Sequence, residues 1–211
     1  MSMVISLTEF VWNAELAYVV GLMTTDGTPS PDGRHLTFTS KDSNQIELVK
    51  ELPGLGNTIT TNTSTFNPGQ TYWRIQFGNL ALYRWFVAIG LMSNKSKVLE
   101  AIDVPDSFFF DFLRGHLDGD GTIRAYNDPV YPNSRRLYTV FYAASRLHLE
   151  WLQSTTRRLI NIEGRIAPGA RIWRLTFAKA TSLKLLPCLY YEPNPPCLER
   201  KKARFAEFLN L

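Results

Sequence analysis

The sequence predicts an α+β fold built from two pseudo-symmetric half-domains, each ordered α-β-β-α-β-β-α with one antiparallel sheet. Three observations predict it. The phrase Tyr72-Trp73-Arg74-Ile75-Gln76-Phe77 returns a hundred residues later as Ile172-Trp173-Arg174-Leu175-Thr176-Phe177. Upstream, Gly21-Leu22-Met23-Thr24-Thr25-Asp26-Gly27-Thr28 is matched by Gly115-His116-Leu117-Asp118-Gly119-Asp120-Gly121-Thr122. Between these, Leu36-Thr37-Phe38-Thr39-Ser40-Lys41 pairs with Phe141-Tyr142-Ala143-Ala144-Ser145-Arg146. The order is the same in both halves and the offsets drift by only a few residues, as expected of a duplication with loop-sized insertions.

The elements follow in order. A helix over about Phe10 to Thr25 closes on Asp26-Gly27. Thr28-Pro29-Ser30-Pro31-Asp32-Gly33 is turn chemistry and makes a poor first strand, because proline cannot donate to a central ladder. The second strand alternates, with Leu36 and Phe38 apolar. A helix over Ser43 to Leu52 follows, then a strand pair, Asn57 to Thr63 with Thr71 to Phe77, turning at Pro68-Gly69. In the second copy of that phrase, as in the first, Trp73, Ile75, Phe77, Trp173, Leu175 and Phe177 alternate with other residues, so each strand has one buried face. A helix over Asn79 to Leu91 ends the first half. The second half repeats the plan: a helix over Asp106 to Gly119, a strand pair, a helix over Leu147 to Leu159, and a pair Asn161 to Ala167 with Arg171 to Phe177 turning at Pro168-Gly169. A helix over Ala178 to Leu189 closes it. The expected organisation is a half-domain at 1–92, a linker at 93–105, a half-domain at 106–192 and a helical tail at 193–211, after the break at Pro193 to Pro196.

Composition narrows the function classes. The 211 residues are 45% hydrophobic and 20% charged, enough apolar material for a sizeable core. Twenty-three basic against 19 acidic residues leave a net charge of +4, which hints at a polyanionic partner. Two cysteines, Cys188 and Cys197, exclude a disulfide framework and any Cys-rich zinc module, and three histidines argue against a His-dominated metal site. No stretch is long enough to span a bilayer and the N-terminus lacks the features of a secretory signal, so an intracellular, non-secreted protein with free thiols is expected, in host cytoplasm, nucleoid or organelle matrix.

Gly21 and Gly115 sit in mid-helix, where glycine costs about 1 kcal/mol relative to alanine. Twice in register, that cost calls for a close approach of two helices. The Asp-Gly that follows fits a helix end with glycine as a left-handed C-cap. Asp26 and Asp120 then lie at the negative ends of two helix dipoles, where a carboxylate is locally unfavourable. Facing each other across a pseudo-two-fold axis, they suit a divalent cation better than they suit the fold.

Val19-Val20-Gly21-Leu22-Met23-Thr24-Thr25-Asp26-Gly27 and Leu113-Arg114-Gly115-His116-Leu117-Asp118-Gly119-Asp120-Gly121 resemble the LAGLIDADG motif. The chain as a whole resembles a single-chain LAGLIDADG homing endonuclease from about Phe10 to Leu189. The second copy is the closer one. In the first, Thr24 replaces the family's first acidic residue and Val19-Val20 replace Leu-Ala, while the last acid survives in both copies. The resemblance implies that the two motif helices form the interface between halves and that Asp26 and Asp120 bind two or three Mg²⁺ ions near the scissile phosphates. It also implies that saddle-shaped sheets lie in the major groove of a double-stranded DNA target, that both strands are cut leaving short 3′ overhangs, and that the protein is a monomer. Lys41 and Arg146, paired by the repeat, match the family's central basic positions and are assigned to stabilising the phosphate transition state.

Strand parity nominates the residues that read DNA. In the first half they are His35, Thr37, Thr39, Tyr72, Arg74 and Gln76. In the second they are Thr122, Arg124, Tyr126, Arg136, Tyr138, Tyr142, Arg174 and Thr176. Arginine, glutamine and threonine on a sheet face suit base edges in the major groove. Arg165 and Arg171 flank a hairpin tip and are assigned to phosphates. His116 is expected to pack at the helix interface, Asp118 to assist metal or water without being essential, and the basic run Arg200-Lys201-Lys202-Ala203-Arg204 to be a solvated face. Two function classes stay open: a site-specific endonuclease, or a non-cleaving relative such as an intron RNA maturase or a transcription regulator. Retention of both aspartates favours the nuclease.

Overall fold

A computed structural model describes residues 10–51, 59–63, 71–92, 98–131 and 133–209, with 59–63 described by backbone alone. The expected Pro68-Gly69 turn, the start of the Asn57 to Thr63 strand and positions 93–97 of the linker lie outside the described residues.

The first half runs α1 (Ala14–Thr25), β1 (Gly27–Pro29), β2 (His35–Ser40), α2 (Ser43–Lys50), β3 (Ile59–Thr63), β4 (Thr71–Gly78) and α3 (Leu80–Ala88). The second opens on a 3-10 turn, Asp106–Phe108. It continues through α4 (Phe109–Asp120), β5 (Thr122–Asn127), β6 (Arg135–Ala143), α5 (Arg146–Ile160), β7 (Arg165–Pro168), β8 (Trp173–Phe177) and α6 (Lys179–Leu189). The tail forms α7 (Glu199–Leu209). Each half holds one antiparallel four-stranded sheet, ordered β1-β2-β4-β3 and β5-β6-β8-β7. This is the α+β architecture expected from the repeat.

The turn-like first strand does form, but only over three residues and at a sheet edge, where Pro29 removes no central hydrogen bond. Parity holds on the described strands. Leu36, Phe38, Ile75, Phe77, Ile123, Phe141, Leu175 and Phe177 are buried against the helices. The intervening residues form the opposite faces. Side-chain caps start three helices: Asn13 accepts from the Leu16 N–H at 2.8 Å, Asn79 from Leu82 at 2.9 Å and Ser145 from His148 at 3.4 Å.

Helices α1 and α4 form the interface between halves. A Cβ on Gly21 would lie 2.1 Å from the Phe112 carbonyl oxygen, and one on Gly115 would lie 2.0 Å from the Tyr18 carbonyl oxygen. No other residue permits this approach, which accounts for both glycines. The glycines after the aspartates have a different reason from the one expected. Gly121 has φ −95°, and among the described residues only Gly33 and Gly90 are glycines with positive φ, so neither Gly27 nor Gly121 is a left-handed cap. They are needed because the chain doubles back into a strand: a Cβ at either would stand 2.6 Å from a carbonyl oxygen one turn earlier, of Met23 or Leu117.

The tail folds back on α4 through a polar stripe. The buried Arg114 guanidinium donates to the carbonyls of Pro196 and Leu189 and to Asp111, each at 2.8 Å. Tyr191 donates to Asp111 at 3.0 Å, and Asp118 accepts from the Leu198 N–H at 2.8 Å. Helix α7 then lies against β5, with Arg135 donating to the Phe208 carbonyl at 2.7 Å. Among the described residues no helix is long and apolar enough to cross a membrane.

Candidate catalytic clefts and nucleic-acid interface

Asp120 is the last residue of α4 and Asp26 caps α1, so tight glycine packing brings both carboxylates to one end of the helix pair. The approach persists to the tip: a Cβ on Gly119 would stand 1.9 Å from Thr25 Oγ1 and 3.0 Å from Asp26 Oδ2. Two clefts open here, one against each sheet. The first, about 470 Å³, holds Asp26, Asp120 and Lys41, walled by Thr39, Gln45, Tyr72, Asp118 and Gly119. The second, about 180 Å³, holds Asp120 with Thr24, Thr25, Tyr142, Ala143, Ala144, His148 and Ile172. Most of the wall residues exchange under the repeat, so the clefts are related by the pseudo-two-fold. They are chemically unequal, because among the described residues no lysine or arginine lines the second.

The sheet registers explain that inequality and correct the pairing of the two cations. Ser40 lies opposite Trp73, and Ala143 lies opposite the equivalent Trp173. The counterpart of Lys41 is therefore Ala144, two positions before Arg146. Lys41 stands over the Tyr72 ring at 5.4 Å and faces the first cleft. Arg146 is the first residue of α5, where it bonds Glu150 at 2.8 Å and stacks over Trp173 at 5.3 Å. It lines neither cleft.

Behind the clefts lies a buried polar layer that sequence reasoning under-read. Asp118 accepts from Tyr18 at 3.0 Å as well as from the tail, and its other oxygen, Oδ1, has no hydrogen-bond partner among the described residues. Burial pushes its carboxyl up to about 6. Lys201, expected on a solvated face, is 7% exposed and donates to the carbonyls of Leu117, Asp118 and Gly121 at 2.6, 2.8 and 2.8 Å. Its signal was spacing: Lys201, Phe205 and Phe208 share the inner side of α7. His116 packs at the interface as expected, stacked on His148 at 5.1 Å, and burial holds it well below the usual histidine range.

The outward faces of the sheets lead away from the clefts. On the second sheet Arg124, Tyr126, Tyr138, Tyr142, Arg165, Arg174 and Thr176 line one concavity of about 440 Å³. Tyr126 and Tyr138 stack there at 6.3 Å. Thr122 shares the same face of β5. Arg136 turns to an ion pair with Asp128 at 2.6 Å, and Arg171 is exposed at the β7–β8 turn, so neither joins that wall. On the first sheet, Thr37, Thr39, Tyr72, Arg74 and Gln76 share the outer face, with Arg74 3.4 Å from Gln76. His35, at the start of β2, is paired with Asp32. That pairing holds the Asp32 carboxyl well below the usual range.

No protein-family model matches the chain, and no curated protein sequence matches it. Solved structures match it in fold. The homing endonuclease I-WcaI bound to its DNA recognition sequence aligns with a TM-score of 0.63 at 15% identity, over 92% of this chain and 88% of that one. The LAGLIDADG meganuclease I-AabMI bound to uncleaved DNA gives 0.60 at 13% identity, over 94% and 90%. Full-length DUF199/WhiA from Thermatoga maritima gives 0.58 at 13% identity, over 95% of this chain, which spans only 63% of the WhiA chain. At these identities the likeness is one of fold: the chain adopts the two-domain LAGLIDADG architecture.

Proposed function

We propose that the chain is a divalent-metal-dependent, site-specific endonuclease of double-stranded DNA that acts as a monomer and leaves short 3′ overhangs. One observation carries the reading: Asp26, Asp120 and Lys41 converge in a cleft that opens beside the polar face of a sheet. Two carboxylates at negative helix ends would repel DNA phosphates and each other, a liability that a divalent cation removes. The DNA-bound homing endonucleases of the same fold support double-stranded DNA as the partner.

The donor set fits magnesium. Among the described residues no group of three or more histidines, cysteines and acids could hold a metal unaided. Two carboxylates therefore suit an ion that completes its shell with water and phosphate oxygens, as Mg²⁺ does. When bound, such ions activate water and stabilise the leaving oxygen of a phosphodiester. The chain's own residues do the rest. Asp26 and Asp120, at the ends of the two packed helices, would hold the ions. Lys41 places an ammonium where negative charge develops on the phosphate. Arg124, Arg174, Gln76 and the threonines hold the duplex in register through groove edges, and Arg165 and Arg171 are placed for its phosphates.

A second reading, nucleic-acid binding without cleavage, is favoured by the second cleft, where Ala144 stands in place of a cation. A regulator or an intron RNA maturase has no need of that cation. The test is a plasmid carrying the uninterrupted sequence that flanks the gene, incubated with Mg²⁺ or EDTA. Mg²⁺-dependent linearisation that is lost in Asp26→Asn and Asp120→Asn, with duplex binding retained, supports the nuclease. Binding without cleavage by the parent, unchanged in both variants, supports the second reading.

A further inference from the structure

We propose that Lys201, delivered by the C-terminal helix, is an internal counterion that holds the Asp26–Asp120 pair together when no divalent cation is bound. It is a positioning residue, and its functional meaning rests on the reading of those aspartates given above.

The ammonium is buried, and its three donors are used up by the carbonyls of Leu117, Asp118 and Gly121. Those carbonyls bracket Asp120 at the negative end of α4. Lys201 shares the inner side of α7 with Phe205 and Phe208, a place where a methionine would fill the same space without desolvating a charge. A cation there needs negative charge to offset. Negative charge acts on it from Asp118 first and then from Asp26 and Asp120, while Arg200 opposes it. Burial pulls Lys201 down to about 8, which leaves it charged at neutral pH. Lys41 lines the cleft that holds the same acids, as does Arg200, which is paired with Asp42 at 3.0 Å.

A double-mutant cycle in EDTA, read by thermal unfolding of the full chain without DNA, tests this. Lys201→Met is measured in the parent, in Asp26→Asn/Asp120→Asn, and in Asp118→Asn. The expected result is a fall in Tm of several degrees in the parent and less than half that fall when Asp26 and Asp120 are neutral. An equal fall in both backgrounds overturns the proposal and leaves Lys201 a helix-end cap. Relief confined to Asp118→Asn overturns it as well, assigning the ammonium to that carboxylate alone. If Lys201→Met does not fold, recovery of folding in the triple variant Lys201→Met/Asp26→Asn/Asp120→Asn supports the proposal and failure to recover refutes it. The cycle uses neither metal nor target, so a negative cleavage assay with a positive cycle removes the nuclease reading and leaves the counterion in place.

Discussion

Gly115→Ala tests the packing on which both clefts depend. The added Cβ would stand 2.0 Å from the Tyr18 carbonyl oxygen and 3.1 Å from the Gly21 Cα. Backbone cannot yield as a side chain can, so α1 and α4 must separate by roughly 1.5 Å to restore ordinary contact. A gap of that size forfeits about half or more of each affected van der Waals contact along the seam. Overpacking of this kind costs about 1–3 kcal/mol and occasionally more. Alanine's helix propensity returns about 1 kcal/mol. With a clash against backbone, the upper part of the range applies, and the expected net loss is about 2 kcal/mol. For a chain of this length that lowers Tm by roughly 4–8 °C. Thermal and urea unfolding measure it directly. Gly21→Ala should behave alike, and the double variant should lose less than the sum, because one separation relieves both clashes. A Gly115→Ala protein as stable as the parent, or more stable by the propensity gain, would refute close packing as the reason for the glycine.

The two basic positions should separate in a cleavage assay: Lys41→Met lowers the rate about tenfold or more, whereas Arg146→Met, whose side chain lines neither cleft, changes it less than about threefold. Arg114→Met removes the cationic partner of a buried Asp111 and strands the Leu189 and Pro196 carbonyls, so chemical denaturation should show a loss of about 3–5 kcal/mol. Burial and Glu199 push the Cys197 thiol up to about 12. At pH 8 its thiolate is then on the order of one part in ten thousand, so alkylation should be far slower than for an ordinary cysteine and should accelerate only in strong alkali. Arg124→Gln and Arg174→Gln should each reduce the salt dependence of duplex binding by up to about 0.9 in log–log slope if the side chain meets phosphate, and leave it unchanged if it meets only base edges.

Periodic signals in the sequence carried over to the structure, and non-periodic ones did not. Alternation placed Trp73, Ile75 and Phe77, and their copies Trp173, Leu175 and Phe177, on the inner faces, because a pleated strand leaves no other choice. Gly21 and Gly115 announced the helix seam through their cost. The pairing of Lys41 with Arg146 failed because it lay in a strand-to-helix turn, where no period constrains alignment. The usable anchors there were Asp42 and Ser145, both residues of N-cap type and both found at N-caps. The left-handed cap assigned to Gly27 and Gly121 failed for a different reason. Glycine answers to a positive φ and to a missing Cβ alike, and only coordinates separate the two. Lys201 was absorbed into a run of like charges, which concealed its place on the apolar side of its helix.

The polar stripe on α4 has a consequence for recombination. Asp111, Arg114 and Asp118 seat the tail, whereas the matching positions of α1 are Ala17, Val20 and Thr24, which offer no such anchors. The duplicated halves have therefore ceased to be interchangeable parts. A chimera that grafts this N-terminal half onto another scaffold needs a partner helix that carries the glycine and an acceptor for the buried Tyr18 hydroxyl, which here donates to Asp118. One that borrows the C-terminal half must carry everything through Leu209 as a single cassette, or Arg114 loses the Pro196 carbonyl, Asp111 loses Tyr191 and Asp118 loses the Leu198 N–H, all in the interior.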